Sequence, residues 1–194
     1  MQKNHEYTFE SRVRFSEVDH TKKMTLPGII NYFQDCSIFQ SESLGLGVDY
    51  LAERRKAWVL SAWQVEVLRY PEIAEAVSVH TWATNFKGML GERNFCMRDQ
   101  AGGRIACANS VWVYMDLEKG RPTRPPEEEI SRYGTGEPLD MGQVSRKIML
   151  PDRMEAKAPF AVKRYHIDTN EHVNNCQYVQ MAMELMEDET VVHH

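Results

Sequence analysis

Towards its C-terminal end the chain places Asp168, Asn170 and His172 at every second position of the run Asp-Thr-Asn-Glu-His-Val-Asn-Asn. In an extended segment this alternation puts the three side chains on one face and Thr169 and Glu171 on the other. That face would offer a carboxylate, an amide and an imidazole. Hydrolysis of an activated ester or thioester asks for a base or nucleophile, a group that orients it, and donors for the developing oxyanion. His172 suits the base near neutral pH, Asp168 the orienting group and Asn170 the amide donor. A helix starting near Asn175 would add free backbone N–H groups and the positive end of its dipole. A plainer reading stands beside this one, with Asn170, Asn174 and Asn175 as turn and cap residues and His172 as an ordinary loop histidine.

The surrounding residues narrow the chemistry. Cys176 follows His172 by four residues and would meet it only if both lay on a helix. His172 precedes the expected helix, so Cys176 reads as a small buried apolar residue. His166, Asp168 and His172 fit a metal site poorly, and no metal or other cofactor is expected. Cys36, Cys96, Cys107 and Cys176 show neither CxxC spacing nor the density of a disulfide scaffold, which suits a reducing compartment. A net charge of -5 without any Lys/Arg stripe argues against nucleic acid as a partner. No run approaches the roughly 18 apolar residues of a membrane span. The opening Met-Gln-Lys-Asn-His-Glu-Tyr has no apolar leader, so a cytoplasmic protein away from membranes is the expectation.

The elements that must hold these residues follow from periodicity. Tyr7, Phe9, Ser11, Val13 and Phe15 alternate with mostly charged or polar residues over 6–15, as on a half-buried strand. Thr25 can cap and Pro27 can sit in the first turn of a helix whose stripe is Ile29, Ile30, Phe33, Cys36 and Phe39, with Gly45 and Gly47 as its stop. Strands are expected near 57–69, 76–86, 90–100 and 103–117, divided by Arg-Tyr-Pro, Lys-Gly and Ala-Gly-Gly turns. One strand, one helix and a meander make an α+β unit with an antiparallel sheet packed on the helix. Residues 118–160 are rich in Pro, Gly and charge, with a short helix at 126–132. A strand over 159–168 and a helix over 175–187 close the chain.

That last pair repeats the first. Laying Asp168 on Asp19, an offset of 149 residues, also lays Asn170 on Thr21, His172 on Lys23 and Asn174 on Thr25. Arg14-Phe15 and Arg164-Tyr165 precede the two loops, one residue out of step with this alignment. The second copy is titratable where the first has Thr21 and Lys23, so the first reads as a binding and packing half and the second as the catalytic half.

The run from Asp168 to Tyr178, Asp-Thr-Asn-Glu-His-Val-Asn-Asn-Cys-Gln-Tyr, resembles the Asp-x-Asn-x-His-Val-Asn-Asn-x-x-Tyr signature of plant and bacterial fatty acyl-ACP thioesterases. Arg69-Tyr70-Pro71, Val79-His80-Thr81-Trp82 and Ser110-Val111-Trp112-Val113 are similar to that family in the expected order. The resemblance implies the hot-dog fold, an antiparallel sheet wrapped around a long central helix, with residues 1–125 as an N-terminal hot-dog domain and 126–158 as a linker. Residues 159–194 would then start a second, partial hot-dog repeat with strand, catalytic loop and helix. It implies hydrolysis of fatty acyl-ACP to free fatty acid and holo-ACP, with Asp168, Asn170 and His172 catalytic and Asn174 and Asn175 structural. The partner would be acyl carrier protein bearing a fatty acyl-phosphopantetheine, and no separate cofactor is needed. An acyl-CoA thioesterase of the same fold and a non-catalytic acyl-binding remnant are the alternatives. In one respect the chain departs from the family, whose site includes a further acidic residue on a strand after the second helix. The expectation is therefore a truncated second repeat, its helix covered by another chain, as in a homodimer.

Overall fold

The computed structural model describes residues 5–142, 149–169 and 171–186. Backbone contacts divide the chain into two units, Met1–Met141 and Gly142–His194.

The first unit begins with strand β1, Tyr7–Arg12, whose alternate residues Tyr7, Phe9 and Ser11 are the less exposed ones. Phe15, expected on the same face, is 84% exposed because the strand has already turned into a short 3-10 turn at Phe15–Glu17. Helix α1, Leu26–Ser43, starts as its sequence dictates: the Thr25 hydroxyl accepts the Gly28 N–H at 3.1 Å and Pro27 sits in the first turn. It stops where Gly45 takes a left-handed backbone, φ 67°. A second short helix, α2 at Val48–Glu53, follows, for which the sequence pattern carries no expectation.

Strands β2 (Lys56–Val67), β3 (Ala76–Lys87), β4 (Leu90–Asp99) and β5 (Arg104–Asp116) fall where periodicity places them. A two-residue strand, β6 at Arg121–Pro122, pairs with the end of β5. The order across the antiparallel sheet is β1-β3-β4-β5-β2. Ile29, Tyr32, Phe33 and Cys36 of α1 meet Val77, Val79, Phe95, Met97, Ile105 and Ala108 of the sheet in one core. This is the hot-dog arrangement, a long helix held in a curled sheet.

The opposite face of the sheet is covered in part by residues expected to be linker. Helix α3, Glu127–Tyr133, lies instead on the α1 side, where the Tyr133 hydroxyl is 2.9 Å from Ser41 Oγ, and buries Glu129 and Tyr133. Beyond it the Trp82 indole N–H donates to the Glu137 carbonyl at 2.8 Å, the Leu139 N–H donates to Asn94 Oδ1 at 2.8 Å, and Gln64 Nε2 donates to the Met141 carbonyl at 2.8 Å. Residues 126–141 are thus fastened to the first unit.

In the second unit the strand expected over 159–168 does not form. Residues 158–163 carry no ladder among the described residues, a 3-10 turn occupies Arg164–His166, and one isolated bridge joins Ile167 to Val173. A strand is defined by the partner it bonds, and alternation alone supplies none. Helix α4, Asn175–Met183, follows with Asn174 as its cap. Among the described residues no helix is long and apolar enough to cross a membrane.

Candidate active site

The loop before α4 reproduces the local main-chain bonds of the loop before α1 at the offset of 149. In the first copy the Arg14 N–H donates to Glu17 Oε2 at 2.8 Å; in the second the Lys163 N–H donates to His166 Nδ1 at 3.0 Å. The 3-10 turns Phe15–Glu17 and Arg164–His166 coincide, which moves the lead-in: Arg14 matches Lys163 rather than Arg164. Asp19 N donates to the Lys23 carbonyl at 2.9 Å, as Asp168 N does to the His172 carbonyl at 2.8 Å. The Lys22 and Glu171 N–H groups donate back to the Asp19 and Asp168 carbonyls at 3.0 and 3.1 Å. Thr25 N donates to the Glu17 carbonyl, and Asn174 N to that of His166. Lys22 and Glu171 both adopt left-handed backbones, φ 66° and 60°, at a real cost for residues with a Cβ. The bridges Val18 to Met24 and Ile167 to Val173 close the two loops.

This geometry corrects the extended segment read from the alternation of Asp168, Asn170 and His172. The backbone reverses between Asp168 and His172, and position along a strand does not decide which way these side chains point. Asp168 Oδ1 accepts the His172 backbone N–H at 3.3 Å. That contact ties the two ends of the turn. Asp19 does the same work in the first copy, its Oδ1 accepting Thr21 N at 2.7 Å, Thr21 Oγ1 at 2.6 Å and Lys23 N at 3.4 Å. Desolvation pushes the Asp19 carboxyl up, but the Thr21 and Lys23 bonds outweigh it and hold its pKa below the usual value. Asn170 lies outside the described residues.

The His172 side chain is exposed and sits two residues before the cap of α4. Asn174 Oδ1 accepts the Cys176 N–H and the Asn174 carbonyl the Gln177 N–H, both at 2.9 Å, which caps the first turn of α4. Cys176 is buried, as befits a small apolar residue. His166 is buried too, and because its Nδ1 accepts a backbone N–H, the neutral ring carries its proton on Nε2. Its structural part, capping the 3-10 turn where the first copy uses Glu17, could not be read from its spacing to Asp168.

The first unit has a cleft of its own, open to solvent, between α1 and the sheet. Trp58, Phe86 and Trp112 give it aromatic walls, and Ser37, Arg93 and Tyr133 line it with polar groups. Arg93 is buried; its Nη1 donates to Gln40 Oε1 and, at 3.0 Å, to Thr81 Oγ1, and burial draws its pKa down.

A helix-in-sheet hot-dog unit followed by a repeat of its helix-entry loop defines a class, the tandem hot-dog proteins. Residues 4–133 match the acyl-ACP thioesterase N-terminal domain and residues 150–194 the acyl-ACP thioesterase C-terminal domain. The chain belongs to the acyl-ACP thioesterase family. Among curated relatives, a chloroplastic palmitoyl-acyl carrier protein thioesterase of Arabidopsis thaliana is 26% identical over 89% of this chain and 45% of its own length. A chloroplastic oleoyl-acyl carrier protein thioesterase 1 of the same plant is 26% identical over 94% of this chain and 55% of its own. The chain thus spans about half the length of these relatives. An acyl-ACP thioesterase structure from Bacteroides thetaiotaomicron superposes with a TM-score of 0.78 at 27% identity, covering 97% of this chain and 76% of that one. The 12:0-ACP thioesterase of Umbellularia californica shares the fold, with a TM-score of 0.82 at 22% identity over 96% of this chain and 76% of its own.

Proposed function

We propose that the chain hydrolyses the thioester of fatty acyl-ACP, releasing free fatty acid and holo-ACP. The observation that carries this reading is the repeated loop with changed chemistry. Both copies keep the carboxylate that ties the turn, but the inert Lys23 position becomes an exposed imidazole at His172, beside the N-terminus of α4. In this reading His172 takes the proton of an attacking water, and Asn170 donates to the thioester carbonyl oxygen. Asp168 orients the His172 ring and ties the loop, and the α4 dipole favours the developing oxyanion. The acyl group arrives on the phosphopantetheine arm of its carrier, so no separate cofactor takes part. Residues 159–194 begin a second hot-dog repeat, and the setting is a cytoplasmic homodimer.

The test is thiol release from matched acyl-ACP and acyl-CoA substrates by the 194-residue chain and its variants. His172→Ala should lose about 100-fold or more in rate and Asn170→Ala a similar factor, both with the parent's circular dichroism. Acyl-ACP should be preferred to acyl-CoA. Parent rates in both variants would sink the assignment.

A further inference from the structure

A second set of side chains fit for acyl transfer lies on the sheet face turned away from α1. Ser78 and His80 are two residues apart on β3 and share that face, while Val77 and Val79, which alternate with them, are buried in the helix-facing core. His80 Nε2 lies 3.0 Å from Ser78 Oγ. On the other side of the ring, His80 Nδ1 lies 2.6 Å from Glu6 Oε1 and 2.9 Å from Thr8 Oγ1. Thr8 is the direct cross-strand partner of His80, so the β1–β3 ladder brings Glu6, two residues earlier, to the ring. A carboxylate so close fixes the tautomer: the neutral ring keeps its proton on Nδ1, facing Glu6, and turns the Nε2 lone pair to the Ser78 hydroxyl. Across the other ladder, Arg98 of β4 stands directly opposite Ser78, and its Nε has no hydrogen-bond partner among the described residues. Directly opposed residues share a face, so a guanidinium charge accompanies the serine.

We propose that Ser78, His80 and Glu6 form a second hydrolytic site, a serine esterase site for short-chain activated esters, with Arg98 as the cation beside the developing oxyanion. Nucleophile, base and orienting carboxylate stand in the order that activates a serine, and none of them belongs to the His172 loop. The site is on a sheet face rather than in a deep pocket, which favours small acyl groups with good leaving groups. Ser78 Oγ bonds to the ester carbonyl carbon as its proton passes to His80 Nε2. The imidazolium, paired with Glu6, returns that proton to the departing alkoxide as the C–O bond breaks, leaving the acyl group on Ser78. Water then attacks the acyl-serine, its proton taken by the same nitrogen and returned to Ser78 Oγ, and the carboxylic acid leaves. Ester and water become acid and alcohol, with no other reactant.

The experiment uses the full chain carrying His172→Ala, so that the loop before α4 contributes nothing. It is treated with a fluorophosphonate probe, the modified peptide is located by mass spectrometry, and hydrolysis of p-nitrophenyl acetate is followed in parallel. The expected result is a phosphonyl adduct on Ser78, with labelling and hydrolysis both falling about 100-fold in His80→Gln, the loss expected of a missing general base. Glu6→Gln should fall less, because the imidazole remains in place. No adduct on Ser78 in the parent, or an adduct formed as fast in a folded His80→Gln variant, overturns the proposal; the first outcome needs no variant to fold.

Discussion

At single residues, the most informative atoms are the two aspartates that tie the repeated loops. Both accept main-chain N–H groups, which explains why a carboxylate stands at 19 and 168 although only the second copy carries an imidazole. The pH dependence of the first follows from its environment. Desolvation opposes ionisation of Asp19, yet the Thr21 hydroxyl and the Thr21 and Lys23 N–H groups prevail and lower its pKa. A carboxyl with a lowered folded pKa adds stability above its unfolded value, and that stability is lost as pH falls through the folded one. Asp19→Asn keeps an acceptor oxygen but no charge. It should be less stable than the parent to urea at pH 7, with the gap closing as pH falls below the ordinary aspartate range near ~4. Glu75, Asp99 and Asp116 are lowered as well, so parent and variant both weaken in acid, and the difference between them isolates Asp19. A gap that stays constant between pH 7 and pH 3 would refute this account of the loop.

Among the elements, helix α3 is held by a buried carboxylate. Glu129 is 2% exposed; its Oε2 accepts the Tyr114 hydroxyl at 3.0 Å and its Oε1 the Tyr50 hydroxyl at 3.2 Å. Burial, then the Glu129 charge, push both phenol pKa values up. Glu129→Ala would strand the buried Tyr114 hydroxyl and should cost about 2–3 kcal/mol in urea unfolding, whereas Glu129→Gln, which keeps an acceptor, should cost less. An alanine cost no larger than the glutamine cost would show that α3 is held by Tyr133 packing alone. These latches were not legible in the sequence, where 126–158 reads as linker, because a run of Glu and Pro does not show which glutamate turns inward. By contrast α1 and β2 to β5 were legible almost to the residue. Their signals are local: Thr25 and Pro27 at the helix start, and β-branched and aromatic residues between Gly and Pro turns. The strand expected at 159–168 failed because pairing is not local. The loop at Asp168 was misread as extended because a left-handed Glu171 leaves no mark in the residue type. The residues proposed for chemistry at 168 and 172 were chosen from their functional groups alone. The main-chain contact of Asp168 was not legible, and neither was the approach of Glu6 to His80 from 74 positions away.

For the whole molecule, the division at Met141 separates a unit with its own helix-in-sheet core from the segment that carries His172. Among the described residues every strand lies in the first unit, which also holds the cleft and the Ser78–His80–Glu6 set. The proposed hydrolysis of acyl-ACP rests on the second, so cutting the chain between them should part folding from thioester chemistry. Residues 1–141 alone should give the circular dichroism of an α+β protein and unfold cooperatively in urea, because the sheet, α1 and the α3 latch all lie within them. The fragment should release no thiol from acyl-ACP, lacking Asn170 and His172. It should still accept a fluorophosphonate on Ser78 at the parent rate. A fragment that fails to fold would show that the sheet depends on residues 142–194. One that folds and still cleaves acyl-ACP would move the thioester chemistry out of the His172 loop and into the first unit.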